Sequence, residues 1–330
     1  MADQLDEFDI IARHFAPLAR SCPDIETFRL MDDAATIRSR PGKRLVVTSD
    51  SLVAGIHFFG DEPPAQIAQK ALRTNLSDLA AKGAEPRGYT MALHLPPGRG
   101  DQWLAGFAEG LRDDQSTYGI SLLGGDTTSS PTLAIAITAI GEVDGSYPAR
   151  QNAEIGDDVW VTGTIGDAAL GLKLYEGTLQ LDDVVADHLR LRYRLPQPRL
   201  EVRPLLIAHA KGAMDVSDGL LADLGKMCRA AKVGARVMSD LIPVSPEARQ
   251  AVATLGQRAL QPLMAGDDYE VLFTADPLAR SSIQSMALEL PFGVTRIGQI
   301  MKAESSHQVL LLDEAGNPVH LDGVGHVHRL

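Results

Sequence analysis

The sequence predicts an α/β protein in two domains, 1–148 and 149–330, and three observations carry that prediction. Short apolar runs such as Leu45-Val46-Val47, Tyr89–Leu95, Ile120–Leu123 and Leu133–Ile140 alternate with stretches of helical period. Around Gly141–Gly156 the texture turns loop-like, with Pro148, Arg150 and Asn152, and the boundary is set there. At 330 residues the chain is long enough for two domains of ordinary size, each with its own core.

Composition narrows the function. Hydrophobic content of 45% and charged content of 22% are those of a soluble globular protein. A net charge of −12 argues against a nucleic-acid surface, which needs a basic face. It leaves room for an anionic substrate, provided that cations stand between carboxylates and phosphoryl oxygens. No apolar run approaches the roughly 20 residues that span a bilayer, and Met1-Ala-Asp-Gln-Leu-Asp-Glu7 lacks the basic and apolar parts of a signal peptide. Cys22 and Cys228 lie far apart in no metal-binding pattern. The expectation is a cytoplasmic protein without disulfides or a membrane segment.

In the first domain, Phe8, Ile11 and Phe15 space an amphipathic helix over 3–16. Met31–Ile37 is a turn with adjacent Asp32 and Asp33 entering a short strand. The run Leu45-Val46-Val47 reads as a buried strand, with Thr48, Ser49, Asp50 and Ser51 at its end, where α/β proteins place ligands. Hydroxyls beside a carboxylate suit Mg²⁺, but a capping turn explains the segment equally well. Pro63-Pro64 starts a helix to about Lys82, with Gly83 in the C-terminal position. Its apolar face includes Ile67, Leu72, Leu76 and Leu79; Asn75 and Asp78 share another face. Asp78 is either functional or solvated. A helix over Trp103–Tyr118 leads to the strand Ile120–Leu123, which ends in Gly124-Gly125-Asp126-Thr127-Thr128. A glycine pair after a strand lets backbone approach a ligand, and the Asp can hold a metal.

In the second domain, Asp158–Thr162 is a strand, and Gly163–Gly171 leads into a helix. Without a Walker lysine or dinucleotide spacing, an Asp cap explains that turn better than a phosphate cradle. Two helices fill 183–211, and Gly212–Asp223 gathers Asp215, Ser217, Asp218 and Asp223 at a helix mouth, more carboxylate than capping requires. Strands follow at 236–239, 270–274, 294–300 and 308–312, with helices near 246–255 and 277–288. Gly266-Asp267-Asp268-Tyr269-Glu270 is a further acidic turn, and His326 and His328 in the tail read as surface residues.

Asp33, Asp50, Asp78, Asp126, Asp215 and Asp218 thus stand at strand ends and helix mouths with no matching run of Arg or Lys. Clustered carboxylates repel unless cations bind between them. Several Mg²⁺ ions with a polyphosphate meet that need, which points to ATP chemistry. The P-loop and protein-kinase signatures are absent.

Six motifs, in order along nearly the whole chain, resemble the thiamine-monophosphate kinase family of the aminoimidazole-ribonucleotide-synthetase superfamily. They are Asp32-Asp33-Ala34-Ala35, Thr48–Phe58, Asn75–Pro86, Gly124–Thr128, Met214–Leu220 and Gly266–Glu270. The resemblance implies an N-terminal sheet pairing into a barrel across a homodimer, and a C-terminal mixed α/β domain that completes the ATP and substrate site. By position, Asp33, Thr48, Ser49, Asp50, Asp78, Asp126, Asp215 and Asp218 are similar to the family's Mg²⁺ ligands. Tyr118, Gly125, Asp126, Arg150 and Ser217 match its ATP contacts; His57, Asp267 and Gly323 match its thiamine monophosphate contacts. The implied reaction is direct phosphoryl transfer from ATP to give thiamine diphosphate, without an acid–base residue. The chain departs from the family at Met31, at Asp267, and at Gly323 and His326 where the family has aromatics. Two alternatives are a purine-synthesis cyclo-ligase and a non-catalytic nucleotide- or thiamine-binding regulator. The Val53-Ala-Gly-Ile-His-Phe58 segment argues against the first; the departures motivate the second.

Overall fold

The computed structural model describes residues 7–255, 265–303 and 309–321. The chain packs as two units, Met1–Leu79 with Ala84–Ser146, and Ala80–Gly83 with Tyr147–Leu330.

The first unit is built on a four-stranded sheet. Its members are β3 (Lys43–Val53), β4 (Glu85–Leu95), β5 (Ser121–Ser129) and β6 (Ala134–Asp144), in the order β3-β6-β4-β5. The β3–β6 pairing is antiparallel over eleven residues, from Lys43↔Asp144 to Val53↔Ala134. β4 pairs antiparallel with β6 and parallel with β5. A two-stranded ribbon, β1 (Ile25–Glu26) with β2 (Thr36–Ile37), precedes the sheet. Along β6, buried Ile135, Ile137 and Ala139 alternate with half-buried neighbours, so one face is covered. The cover is α2 (Pro64–Ala81) and α3 (Asp101–Tyr118): Thr48 of β3 meets Asp78 of α2, and Tyr89 of β4 meets Gln115 of α3 at 3.1 Å. The spacing of Ile67, Leu72, Leu76 and Leu79 buries the apolar stripe of α2, and Gly83 turns at φ 61° beyond its end.

Three expectations change here. The helix of 3–16 is an α-helical turn, α1 (Glu7–Ile10), that widens into a π turn at Ile11–Phe15 and tightens into a 3₁₀ turn at Ala16–Leu18; residues 3–6 lie outside the described residues. Leu45-Val46-Val47 is not buried. It belongs to an edge strand, where Leu45 is 42% and Val47 62% exposed. A short apolar run cannot distinguish an edge from a centre, because only neighbouring strands and faces decide burial. Finally, Thr48–Ser51 and Gly124–Thr128 lie within β3 and β5 rather than beyond them. Small and polar residues continue a strand when its partner supplies the ladder of hydrogen bonds.

The second unit has a six-stranded sheet of β7 (Asp158–Thr162), β8 (Ala210–Asp215), β9 (Gly234–Met238), β10 (Val271–Ala275), β11 (Val294–Met301) and β12 (Val309–Leu312). Its order is β12-β9-β11-β7-β10-β8, and only β12–β9 is parallel. Both faces are covered, so β7 and β10 are buried at every residue. Val159, Val161 and Leu272 enter one core with residues of α4 (Asp167–Tyr175), α5 (Asp183–Arg194), α7 (Leu220–Ala231) and α8 (Pro246–Leu255). Trp160, Val271 and Phe273 point the other way, into a core with α6 (Arg203–His209) and α9 (Arg280–Ala287); there the Trp160 and Phe273 rings stack at 6.2 Å. Among the described residues no helix is long and apolar enough to cross a membrane.

Candidate active site

Two acidic groups occupy opposite edges of the first unit's sheet. At β5, a cavity of 440 Å³ is lined by Asp32, Asp33, Gly124, Gly125, Asp126 and Thr127, among others, so Asp33 and Asp126 share one space. The backbone leading to Asp33 is held unusually, with Phe28, Arg29 and Leu30 all at φ of 49–60°. Gly125 cannot be replaced without cost, because a Cβ there would lie 1.8 Å from the Met91 carbonyl oxygen. Gly125→Ala is expected to destabilise at the upper end of the ~1–3 kcal/mol range for overpacking, lowering the melting temperature by roughly 6–10 °C. Differential scanning calorimetry reads this directly.

At β3, alternation puts Thr48 and Asp50 on one face and Ser49 on the other. The Thr48 hydroxyl donates to Asp78 Oδ2 at 2.5 Å, and the Asp50 N–H donates to Asn75 Oδ1 at 3.1 Å. Asn75 and Asp78 therefore face β3 together, as their three-residue spacing requires. Ser49 instead donates to the Ile137 carbonyl. The His57 ring accepts the Val53 N–H at Nδ1, which assigns its proton to Nε2. β3 and β5 are the two edges of the sheet, so Asp50 and Asp126 stand about three strand spacings apart, roughly 14 Å. Among the described residues no three Asp, Glu, His or Cys side chains converge on a metal position. Tyr118 ends α3 with Arg73 over its ring at 5.7 Å, and Arg73 is itself fixed by the buried Asp114 at 2.8 Å.

In the second unit, β8 ends at the buried Asp215, and the chain turns into α7 through Ser217, Asp218 and Gly219. All three N–H groups of that turn donate to Asp223 Oδ2, at 2.9–3.1 Å. Asp223 is the cap, so one of the three carboxylates that looked surplus to capping performs it. Burial lifts the Asp223 carboxyl above the usual range, and Lys226 pulls it back. Lys226 also pairs with Asp218. No run of Arg or Lys matches the acidic turns, but this single lysine answers Asp218, and the i, i+3 spacing of Asp223 and Lys226 is its signal in the sequence. Arg150 lies in a 3₁₀ turn, Arg150–Asn152, that packs beside α7.

The turn Gly266–Glu270 lies against the same strand end. Asp267 donates its N–H to the Ser217 carbonyl and Tyr269 to the Val216 carbonyl, each at 2.8 Å. Behind it, Glu270 is fully buried and accepts from Thr162, Arg192 and Arg199 at 2.5–2.9 Å. Neither arginine stands out in the sequence, because their partners are more than 70 residues away. The glycine turn before α4 is closed to phosphate: the Gly166 N–H donates to Asp268, while Asp167 accepts from Thr164 and Ser245. Gly323, His326 and His328 lie outside the described residues.

This architecture belongs to a known class. Residues 31–143 match the N-terminal domain of AIR synthase related proteins and residues 154–309 the C-terminal domain, so the chain is a member of that family. Within it, thiamine-monophosphate kinase of Caulobacter vibrioides is 42% identical over 305 residues, covering 90% of this chain and 85% of the relative. The crystal structure of thiamine-monophosphate kinase from Stenotrophomonas maltophilia K279a superposes with a TM-score of 0.81 at 39% identity, over 90% of this chain and 93% of that one. AaThiL complexed with AMPPCP and TMP gives a TM-score of 0.77 at 27% identity, over 88% and 89%. The chain belongs to the thiamine-monophosphate kinase family.

Proposed function

We propose that this protein phosphorylates thiamine monophosphate with ATP, yielding thiamine diphosphate and ADP. The observation that carries this reading is kinship along nearly the whole chain with thiamine-monophosphate kinases, among them the AaThiL complex with an ATP analogue and TMP. The residues suit the chemistry. A phosphate monoester is largely dianionic at neutral pH, with a second pKa near 6, and needs no base to attack the γ-phosphate. It needs in-line placement and cancellation of charge between two anions.

The assigned donors are hard oxygens, with Asp33 and Asp126 on one cavity and backbone able to approach closely at Gly125. Mg²⁺ keeps several waters and takes phosphate oxygens, so one or two carboxylates per ion suffice. Asp33, Thr48, Ser49, Asp50, Asp78, Asp126, Asp215 and Asp218 are the residues that would hold Mg²⁺, which would supply charge neutralisation between donor and acceptor phosphates. Tyr118, Gly125, Asp126, Arg150 and Ser217 would bind ATP; His57, Asp267 and Gly323 would bind the acceptor. The domains proposed to share this work are 1–148 and 149–330.

A homodimer is part of the proposal. The two acidic edges of one sheet stand apart, and the edge strand β3 exposes Leu45 and Val47. Closing two such sheets into a barrel supplies the missing neighbours and removes the open edges. We also place the protein in the cytoplasm, where ATP and free Mg²⁺ are present.

The test is incubation with ATP, Mg²⁺ and, separately, thiamine, thiamine monophosphate and a formylglycinamidine ribonucleotide. ADP and thiamine diphosphate are expected with thiamine monophosphate alone. Turnover of only the purine intermediate would establish the cyclo-ligase, and binding without ADP would establish the regulator. Rapid-quench digests are expected to contain no phosphorylated residue; a trapped one overturns direct transfer.

A further inference from the structure

Asp268 sits between two non-glycine residues with left-handed backbone, Asp267 at φ 64° and Tyr269 at φ 52°. L residues avoid that region, so such a turn persists only where its surroundings hold it. Three backbone bonds pin its outer side just past the end of β8: Asp267 donates to Ser217, Tyr269 donates to Val216, and the Val216 N–H donates to the Glu270 carbonyl. Its inner side hangs on the Asp268 side chain, which is 1% exposed. Asp268 Oδ1 accepts the Gly166 N–H at the mouth of α4, at 2.9 Å, while Oδ2 is buried without a partner. The Asp268 carbonyl meets Arg192 of α5 at 3.4 Å. The charged groups around it are Asp167 from α4, Arg192 from α5 and Glu270 from its own turn. Burial pushes the Asp268 carboxyl well above the usual range, and the Gly166 N–H pulls it back. Arg192 is already engaged by Glu270 at 2.9 Å.

We propose that Asp268 is a positioning residue for the acceptor: by anchoring the turn to Gly166 it holds Asp267 in the conformation that meets thiamine monophosphate. This rests on the kinase reading, under which the half-exposed Asp267 faces the acceptor. The adjoining Ser217–Gly219 turn has its own anchor in Asp223, so nucleotide binding should be insensitive to Asp268. An amide at this position keeps the acceptor for Gly166 and adds no charge.

The experiment compares wild type, Asp268→Ala and Asp268→Asn by steady-state kinetics, with calorimetric binding of thiamine monophosphate and of AMP-PCP separately. Asp268→Ala is expected to raise the KM and Kd for thiamine monophosphate tenfold or more, with nucleotide values within twofold. Asp268→Asn is expected to stay within threefold of wild type for both ligands. If Asp268→Ala does not fold, Asp268→Ser, whose hydroxyl is too short to reach Gly166, takes its place. Equal losses for both ligands, no loss for either, or Asn as damaging as Ala overturns the proposal. Wild type that binds thiamine monophosphate without turnover removes the kinase reading alone, because the binding comparison still decides the role of Asp268. Wild type that does not bind it overturns both.

Discussion

Asp50→Asn is expected to lower turnover by about a hundred- to a thousand-fold, the loss typical of removing one preorganised electrostatic contact, while leaving the melting temperature nearly unchanged. The side chain is exposed on an edge strand, and the fold is held there by backbone pairing of β3 with β6. Asn keeps the size and removes the charge. An exposed polar substitution typically shifts stability by no more than about 0.5 kcal/mol. A proposed metal ligand loses its function with that same change, because a neutral amide answers Mg²⁺ far less well than a carboxylate. Coupled ADP assays over a range of Mg²⁺ concentrations are the measurement. Near wild-type activity at all of them would defeat the assignment of Asp50.

Glu270→Ala is expected to cost about 3–5 kcal/mol of stability, the price of leaving buried charges uncompensated. Glu270 is completely buried, and it holds Arg192 and Arg199, whose side chains are 6% and 12% exposed. Its removal strands two guanidinium groups and the Thr162 hydroxyl at once. At about 2–4 °C per kcal/mol for a unit of this size, the melting temperature should fall by roughly 10 °C. Glu270→Gln keeps acceptors but not charge, and is expected to fall between Ala and wild type. A loss below about 1 kcal/mol for Glu270→Ala, measured by denaturant titration, would mean that the arginines find water or other partners.

Local pattern carried much of the architecture. α8 matches the expected 246–255, and β10 and β11 lie within a residue of expectation, because each is a periodic segment bounded by turn residues. Motif spacing brought out Asn75 with Asp78, and the acidic turn before β10. What stayed hidden depends on distant pairing. Whether Leu45-Val46-Val47 is central or at an edge is decided by which strands follow it in space, not by its own residues. The distance between Asp50 and Asp126 follows from β6 and β4 inserting between β3 and β5. The arginines of Glu270 and the helix mouth that receives Asp268 likewise come from remote segments. Gly323 and His326, where this chain departs from its family, lie outside the described residues.

The long pairing of β3 with β6 has a consequence for the order in which the first unit is assembled. α2, β4, α3 and β5 all lie between those two strands in the sequence. β3 therefore docks across a large loop, a slow closure that local contacts do not reward along the way. Thr48, Ser49 and Asp50 gain their ladder partners only when β6 is in place. If these residues are the donors we propose, a partly unfolded chain offers an incomplete set, and ligand stabilises only the finished unit. Under that assignment, competence to bind and completion of folding arrive together.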